Sequence, residues 1–96
     1  MILWCDGAHP PDENMRRDAA LLASLEASGP HPSAVLRLFR FAPHGITLGH
    51  SQKAEQVLDL DRCRLDGVPW AVRPTGGRAI FHAQEWTYSL AAAIED

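Results

Sequence analysis

The sequence predicts an α+β (mixed α/β) fold in which a mostly antiparallel sheet is flanked by helices. Three observations carry that expectation: one amphipathic run with helical spacing, several short runs rich in β-branched and aromatic residues, and Gly and Pro placed between them. A content of 46% hydrophobic and 22% charged residues is that of a folded globular protein and lies far from the composition of disorder. Ninety-six residues allow one domain with a small core.

Residues 1–5 are apolar and run into Asp6-Gly7 and then His9-Pro10-Pro11, which predicts a short first strand followed by a turn. Asp12 is the expected N-cap of a helix reaching Ser28, with Met15, Ala19, Leu22 and Leu25 or Glu26 on its inner face and Gly29-Pro30 as the stop. Arg16, Arg17 and Glu26 then fall on or beside the solvated face. The alternation of Val35, Arg37, Phe39 and Phe41 against Leu36, Leu38 and Arg40 predicts a strand over 34–41 covered on both sides. With Pro43-His44-Gly45 as a turn and 46–49 as the return strand, residues 34–49 read as an antiparallel hairpin, and Gly49 as a place of close backbone approach. Residues 57–65 predict a helix with Val57 and Leu65 among its apolar contacts and Gly67 just beyond its end. Residues 68–73 read as a strand, 74–78 as a loop, and 79–82 and 86–94 as two further strands.

A net charge of -3, with eight scattered Arg and Lys53 as the single Lys, leaves no basic patch for nucleic acid or an anionic membrane surface. The longest uncharged apolar run, 86–94, is shorter than the roughly 20 residues that a membrane-spanning helix needs. Cys5 and Cys63 stand alone, without the neighbouring Cys or His of a zinc site, and read as packing residues; Trp4, Trp70 and Trp86 read as core or pocket wall. No signal peptide is visible, so the cytoplasm is the expected location.

The chemistry concentrates in Arg73-Pro74-Thr75-Gly76-Gly77-Arg78. A Gly-Gly pair directly after a strand lets backbone N–H groups turn toward an anion or a carbonyl oxygen. Arg73 and Arg78 put two cations beside those donors, suited to a carboxylate, a phosphate or a developing thioester oxyanion, and Thr75 adds a hydroxyl. The same residues also describe a plain tight turn between strands with two surface arginines. His82 reads equally as a pocket residue or a packed strand-end histidine.

The run V-R-P-T-G-G-R-A-I-F-H and the following Gln84-Glu85-Trp86-Thr87-Tyr88-Ser89 resemble the R-R-x-[ST]-G-G-G/R-x-V-x-H signature of the lipoate-protein ligase and octanoyltransferase family, the biotin/lipoate A/B protein ligases. Asn14-Met15 with Asp18, Arg37-Leu38-Phe39, and Leu48-Gly49-His50-Ser51-Gln52 resemble that family's N-M-x-x-D, R-x-Y/F and L-G-x-x-Q elements in the family's order. The resemblance implies a biotin/lipoate protein ligase-like catalytic domain, akin to class II aminoacyl-tRNA synthetases, of which residues 1–96 are expected to be an N-terminal part. It implies an acyl-binding site made of Arg73, Thr75, Gly76, Gly77, Arg78, His82 and Gln52, with lipoate or an octanoyl thioester as substrate and no metal.

The sequence departs from the family pattern at three positions. Val72 stands where a second Arg is usual, Arg78 replaces the third Gly of ATP-dependent ligases, and Ala83 replaces an Asp beside the His, which weakens the case for a carboxylate orienting His82. Arg78 is similar to the octanoyltransferase branch that works through a Cys acyl-enzyme and needs no cofactor; the ligase alternative implies ATP and Mg. The catalytic Lys or Cys is expected beyond Asp96, or on a second chain supplying the missing half. An acyl carrier protein or a lipoyl-domain protein is the implied donor or acceptor. Without such a completing half, the expectation is a non-catalytic remnant or binding module.

Overall fold

The computed structural model describes residues 1–27, 34–83 and 85–92. The elements run β1 (Ile2–His9), α1 (Pro11–Ala27), β2 (Ala34–Phe41), β3 (Gly45–Leu48), α2 (Ala54–Val57), α3 (Leu60–Asp66), β4 (Trp70–Val72), β5 (Ile80–His82) and β6 (Thr87–Ala92). They form two three-stranded sheets, ordered β1-β2-β6 and β4-β3-β5, and α1 lies against both. The mixed α/β class holds. The pairing is less antiparallel than expected: β1 with β2 and β3 with β4 are parallel, while β2 with β6 and β3 with β5 are antiparallel.

The first strand passes through Asp6-Gly7 instead of ending there. Cys5 pairs with Leu38 and Ala8 with Arg40, so β1 spends one residue more than β2 over this stretch, and Gly7 takes φ +66. This bulge absorbs the turn signal without ending the strand. Pro11 then opens α1, where a missing N–H costs nothing because the first helical donors have no partner inside the helix. The predicted end of α1 at Ser28 and the stop at Gly29-Pro30 lie outside the described residues, as does the end of the last predicted strand beyond Ala92.

The expected hairpin over 34–49 does not form, because β2 and β3 belong to different sheets. Residues 42–44 carry the chain from one sheet to the other, and Ile46 N–H donates to the Pro69 carbonyl at 3.0 Å, tying β3 to the approach of β4. Gly45 enters β3 at a crowded place, since a Cβ there would lie 2.5 Å from Pro11 Cγ and 2.6 Å from the Pro69 oxygen. The helix expected over 57–65 is two helices. Leu58 and Asp59 are extended between them, and the Asp59 carboxylate accepts from Arg62 N–H at 3.0 Å as the N-cap of α3. Gly67 closes α3 in the left-handed region at φ 65, as expected. Neither α2 nor α3 has a buried residue, so Val57 and Leu65 are exposed and do not serve as packing contacts.

The inner face of the first sheet carries Val35, Arg37, Phe39 and Phe41, all buried, in the predicted alternation. Its outer face is open among the described residues, contrary to the expectation of cover on both sides. Register places Leu3, Leu36 and Leu90 in one outer row and Cys5, Leu38 and Tyr88 in the next; Leu3, Cys5, Tyr88 and Leu90 are exposed. Cys5 is therefore no packing residue, and Trp86 is also exposed, beside Arg40.

The inner stripe of α1 is centred on different residues from those predicted. Asn14 and Met15 are buried and Asp18, Leu21 and Leu25 half-buried, whereas Ala19 and Leu22 are exposed. Two polar residues turn inward because Arg37, fully buried, stands opposite. Arg37 Nε donates to Asp6 Oδ2 at 2.8 Å, Nη1 to Asp18 Oδ1 at 2.7 Å and to the Asn14 carbonyl at 3.0 Å, and Nη2 to Asn14 Oδ1 at 2.7 Å. The guanidinium also lies 3.9 Å from the centre of the Phe39 ring. Asn14 Nδ2 donates to the carbonyls of His9 at 2.9 Å and Arg40 at 3.0 Å, joining the helix to the ends of β1 and β2. Ser89 of β6 donates to the other oxygen of Asp18 at 2.9 Å.

Removing one member of a buried ion network strands the others without water, at a cost of about 3–5 kcal/mol. Arg37→Met is expected to lower the unfolding free energy by about that much in urea titration. Arg17→Ala, which removes a half-exposed partner of Asp6, is expected to cost no more than about 1 kcal/mol.

Candidate functional site

The 73–79 loop joins β4 to β5 and is held against the end of β3. Arg73 N–H donates to the Leu48 carbonyl and His50 N–H to the Thr75 carbonyl, both at 2.8 Å. The loop then crosses the chain at Gly49, where a Cβ would sit 1.9 Å from the Gly77 oxygen, so the expected close backbone approach is a tight one. Gly77 needs its own lack of a side chain, at φ +110, whereas Gly76 faces open space. Gln52 holds the other strand of this crossing: its Oε1 accepts from Gly49 N–H at 2.9 Å, and its backbone N–H donates to the Gly49 carbonyl at 3.0 Å.

Arg73 acts as an internal clasp. Nη1 donates to the Thr47 carbonyl at 3.1 Å and to Thr47 Oγ1 at 2.9 Å, and Nη2 donates to the carbonyls of Gly76 at 3.2 Å and Arg78 at 2.7 Å. Its guanidinium therefore spends its donors on β3 and the loop. Partial burial shifts its pKa downward. Arg78 is exposed.

His82 ends β5, buried, with its ring stacked 4.0 Å from that of Phe41. Its Nε2 lies 2.8 Å from Thr47 Oγ1 and its Nδ1 3.2 Å from Glu85 Oε1. Glu85 thus provides the carboxylate that Ala83 does not, and its second oxygen accepts from Ala83 N–H at 2.8 Å. The His82 pKa is lowered, chiefly by burial, with the Glu85 hydrogen bond and charge opposing and Arg73 reinforcing the shift. Glu85 is itself held below the usual carboxylate range by backbone hydrogen bonds and by His82.

A groove of about 350 Å³ opens between α1 and β6, of the size that holds small ligands. Met15, Leu22, Phe39 and Ile80 give it an apolar wall. Arg73, Thr75 and His82 line it together with Asp18. Gly76, Gly77, Arg78 and Gln52 lie outside its lining, and so do Trp4, Trp70 and Trp86. Of the residues expected at the site, Arg73, Thr75 and His82 line this one cavity, whereas Thr47 and Glu85, which hold Arg73 and His82, were not among them. The signal for Glu85 was a carboxylate three residues beyond the histidine; Thr47 showed only as a polar residue inside an apolar strand.

Residues 10–96 match the model of the lipoyl protein ligase A/B catalytic domain. Octanoyltransferase LipM of Carboxydothermus hydrogenoformans is 42% identical over 83 residues, covering 86% of this chain and 30% of that protein. Among solved structures, protein Ta0514 of T. acidophilum with bound lipoic acid superposes with a TM-score of 0.74 at 29% identity, over 93% of this chain and 36% of its own. Lipoate-protein ligase A bound with ATP gives a TM-score of 0.66 at 30% identity, over 88% and 34%. The chain spans about a third of the length of these relatives.

The crossing predicts opposite outcomes for two glycines. Gly49→Ala is expected to displace the loop and lower the melting temperature by several degrees, while Gly76→Ala leaves it within about 1 °C. His82, harder to protonate folded than unfolded, adds a pH dependence. Its contribution to stability is complete above the ordinary histidine value of 6.5 and is lost as pH falls from there through the lower folded value. Melting curves across this window are expected to be flatter for His82→Gln.

Proposed function

Since the chain belongs to the lipoyl protein ligase A/B catalytic domain family, we propose that the protein transfers an octanoyl or lipoyl group toward a lysine of a lipoyl domain, with this segment holding the acyl group. The observation that carries the reading is the groove: an apolar wall suited to an alkyl chain, bordered by the clasped Gly-Gly loop and by His82. In this reading Arg73 shapes the loop, Thr75 meets the thioester oxygen in the groove, Gly76 and Gly77 carry the loop over the crossing, and Gln52 keeps Gly49 beneath it. Arg78 continues the loop as in octanoyltransferases, and an octanoyl carrier-protein thioester is the donor. The nucleophile and the lysine that complete the site are placed outside residues 1–96, and the whole forms one catalytic domain.

Identity to octanoyltransferase LipM favours transfer from a thioester over ligation driven by ATP. The test incubates the full-length protein with octanoyl carrier protein and a lipoyl domain, and weighs the acceptor by mass spectrometry. An octanoylated lipoyl domain without ATP is the expected result. Modification only from free octanoate or lipoate with ATP and Mg makes it a ligase, and no modification under either condition overturns the acyl reading. Arg73→Ala, which frees the loop, is expected to lower the rate by about 10²-fold, since small misplacements of positioning groups cost that much.

A further inference from the structure

We propose that Glu85 is a positioning residue that orients the 73–78 loop through His82, Thr47 and Arg73, along a hydrogen-bonded chain whose protons all point the same way. The proposal rests on the reading of that loop as the acyl site. The two ends of the chain fix its direction. Arg73 is only a donor, so Thr47 Oγ1 accepts from it. The ionised Glu85 is only an acceptor, so Nδ1 of His82 must carry the proton that faces it. In a neutral imidazole Nε2 is then an acceptor, and the Thr47 hydroxyl gives it its single proton. Each link leaves the next with one arrangement.

Loss of the carboxylate removes that constraint. With the proton on Nε2, Thr47 Oγ1 faces two donors, Arg73 and His82, and its own hydrogen must find another acceptor in a site where Thr47 is fully buried. The adjustment that relieves Thr47 on this side is for Arg73 to shift, and Arg73 is what binds the carbonyls of Gly76 and Arg78. Protonation of His82 produces the same conflict, with two cations on one hydroxyl. The charged groups that bear on His82 are Glu85 in its own segment and Arg73 from the end of β4, while Asp18 of α1 shares the groove. Glu85 itself is half-exposed, so its side chain is replaceable without opening the core.

The test compares wild type with Glu85→Ala and Glu85→Gln in the full-length protein. Ring-nitrogen NMR of His82 is expected to show the proton on Nδ1 in the wild type and on Nε2, or exchanging between the two, in Glu85→Ala. Octanoyl transfer at neutral pH is expected to fall about tenfold in Glu85→Ala. The acid limb of its pH–rate profile is expected to move to lower pH, because Glu85 raises the His82 pKa. A merely structural contact would scale the whole profile and leave the tautomer alone. An unchanged tautomer with an unmoved acid limb overturns the proposal, whatever the rate. The NMR arm needs no substrate, so a tautomer switch in a protein that transfers no acyl group supports the positioning chain and overturns only the acyl reading.

Discussion

A buried cation organises the first half of the molecule. Arg37 stands in the middle of β2 at a position whose neighbours on the same face, Val35 and Phe39, are apolar, and it has no access to water. Such a charge is tolerable only where protein groups replace its hydration shell. Those groups come from different elements: Asp6 from the bulge of β1, and Asn14 and Asp18 from α1. Ser89 of β6 completes the shell by holding Asp18. One guanidinium thereby dictates the bulge, the rotation of the helix about its axis and the seating of β6. No buried side-chain nitrogen or oxygen among the described residues lacks a partner.

That arrangement sets the groove. The rotation that brings Asn14 and Asp18 to Arg37 also turns Met15 toward the core and Leu22 along the groove wall. Electrostatics between β1, α1 and β2 thus decides which apolar side chains a ligand would meet, although Arg37 is not in the groove lining itself. The loop on the other sheet is fixed independently, by the Arg73 clasp and the glycine crossing. Two parts with separate supports meet across the cavity.

Much of this was legible in the sequence, and the failures have physical reasons. The alternation in 34–41, the glycine after α3, the close approach at Gly49 and the strand-loop-strand course around Gly76 all follow from local rules of pleating and turn conformation. The inward stripe of α1 differs from the expected one because apolar spacing alone leaves Asn14 and Asp18 out of it. Only a cation on another strand makes them interior. The helix expected over 57–65 split because Asp59 caps as readily as it continues a helix. The hairpin over 34–49 failed for a tertiary reason, since a turn signal says that the chain reverses and not which sheet receives it. In the site, Arg73, Thr75 and His82 converge on the groove, but Thr47, which joins Arg73 to His82, emerges only when β3 lies beside β5, whereas Glu85 reaches His82 from three residues along the chain.

The contrast between the two adjacent glycines has a practical side. Gly77 is locked by its backbone angle and by the chain crossing beneath it, while Gly76 points its missing side chain into empty space. A cysteine at 76 could therefore carry a fluorophore or spin label on the loop without filling the crossing. The tight half of the pair would keep the label's backbone in place, and the open half would give it room to sense whatever enters the groove.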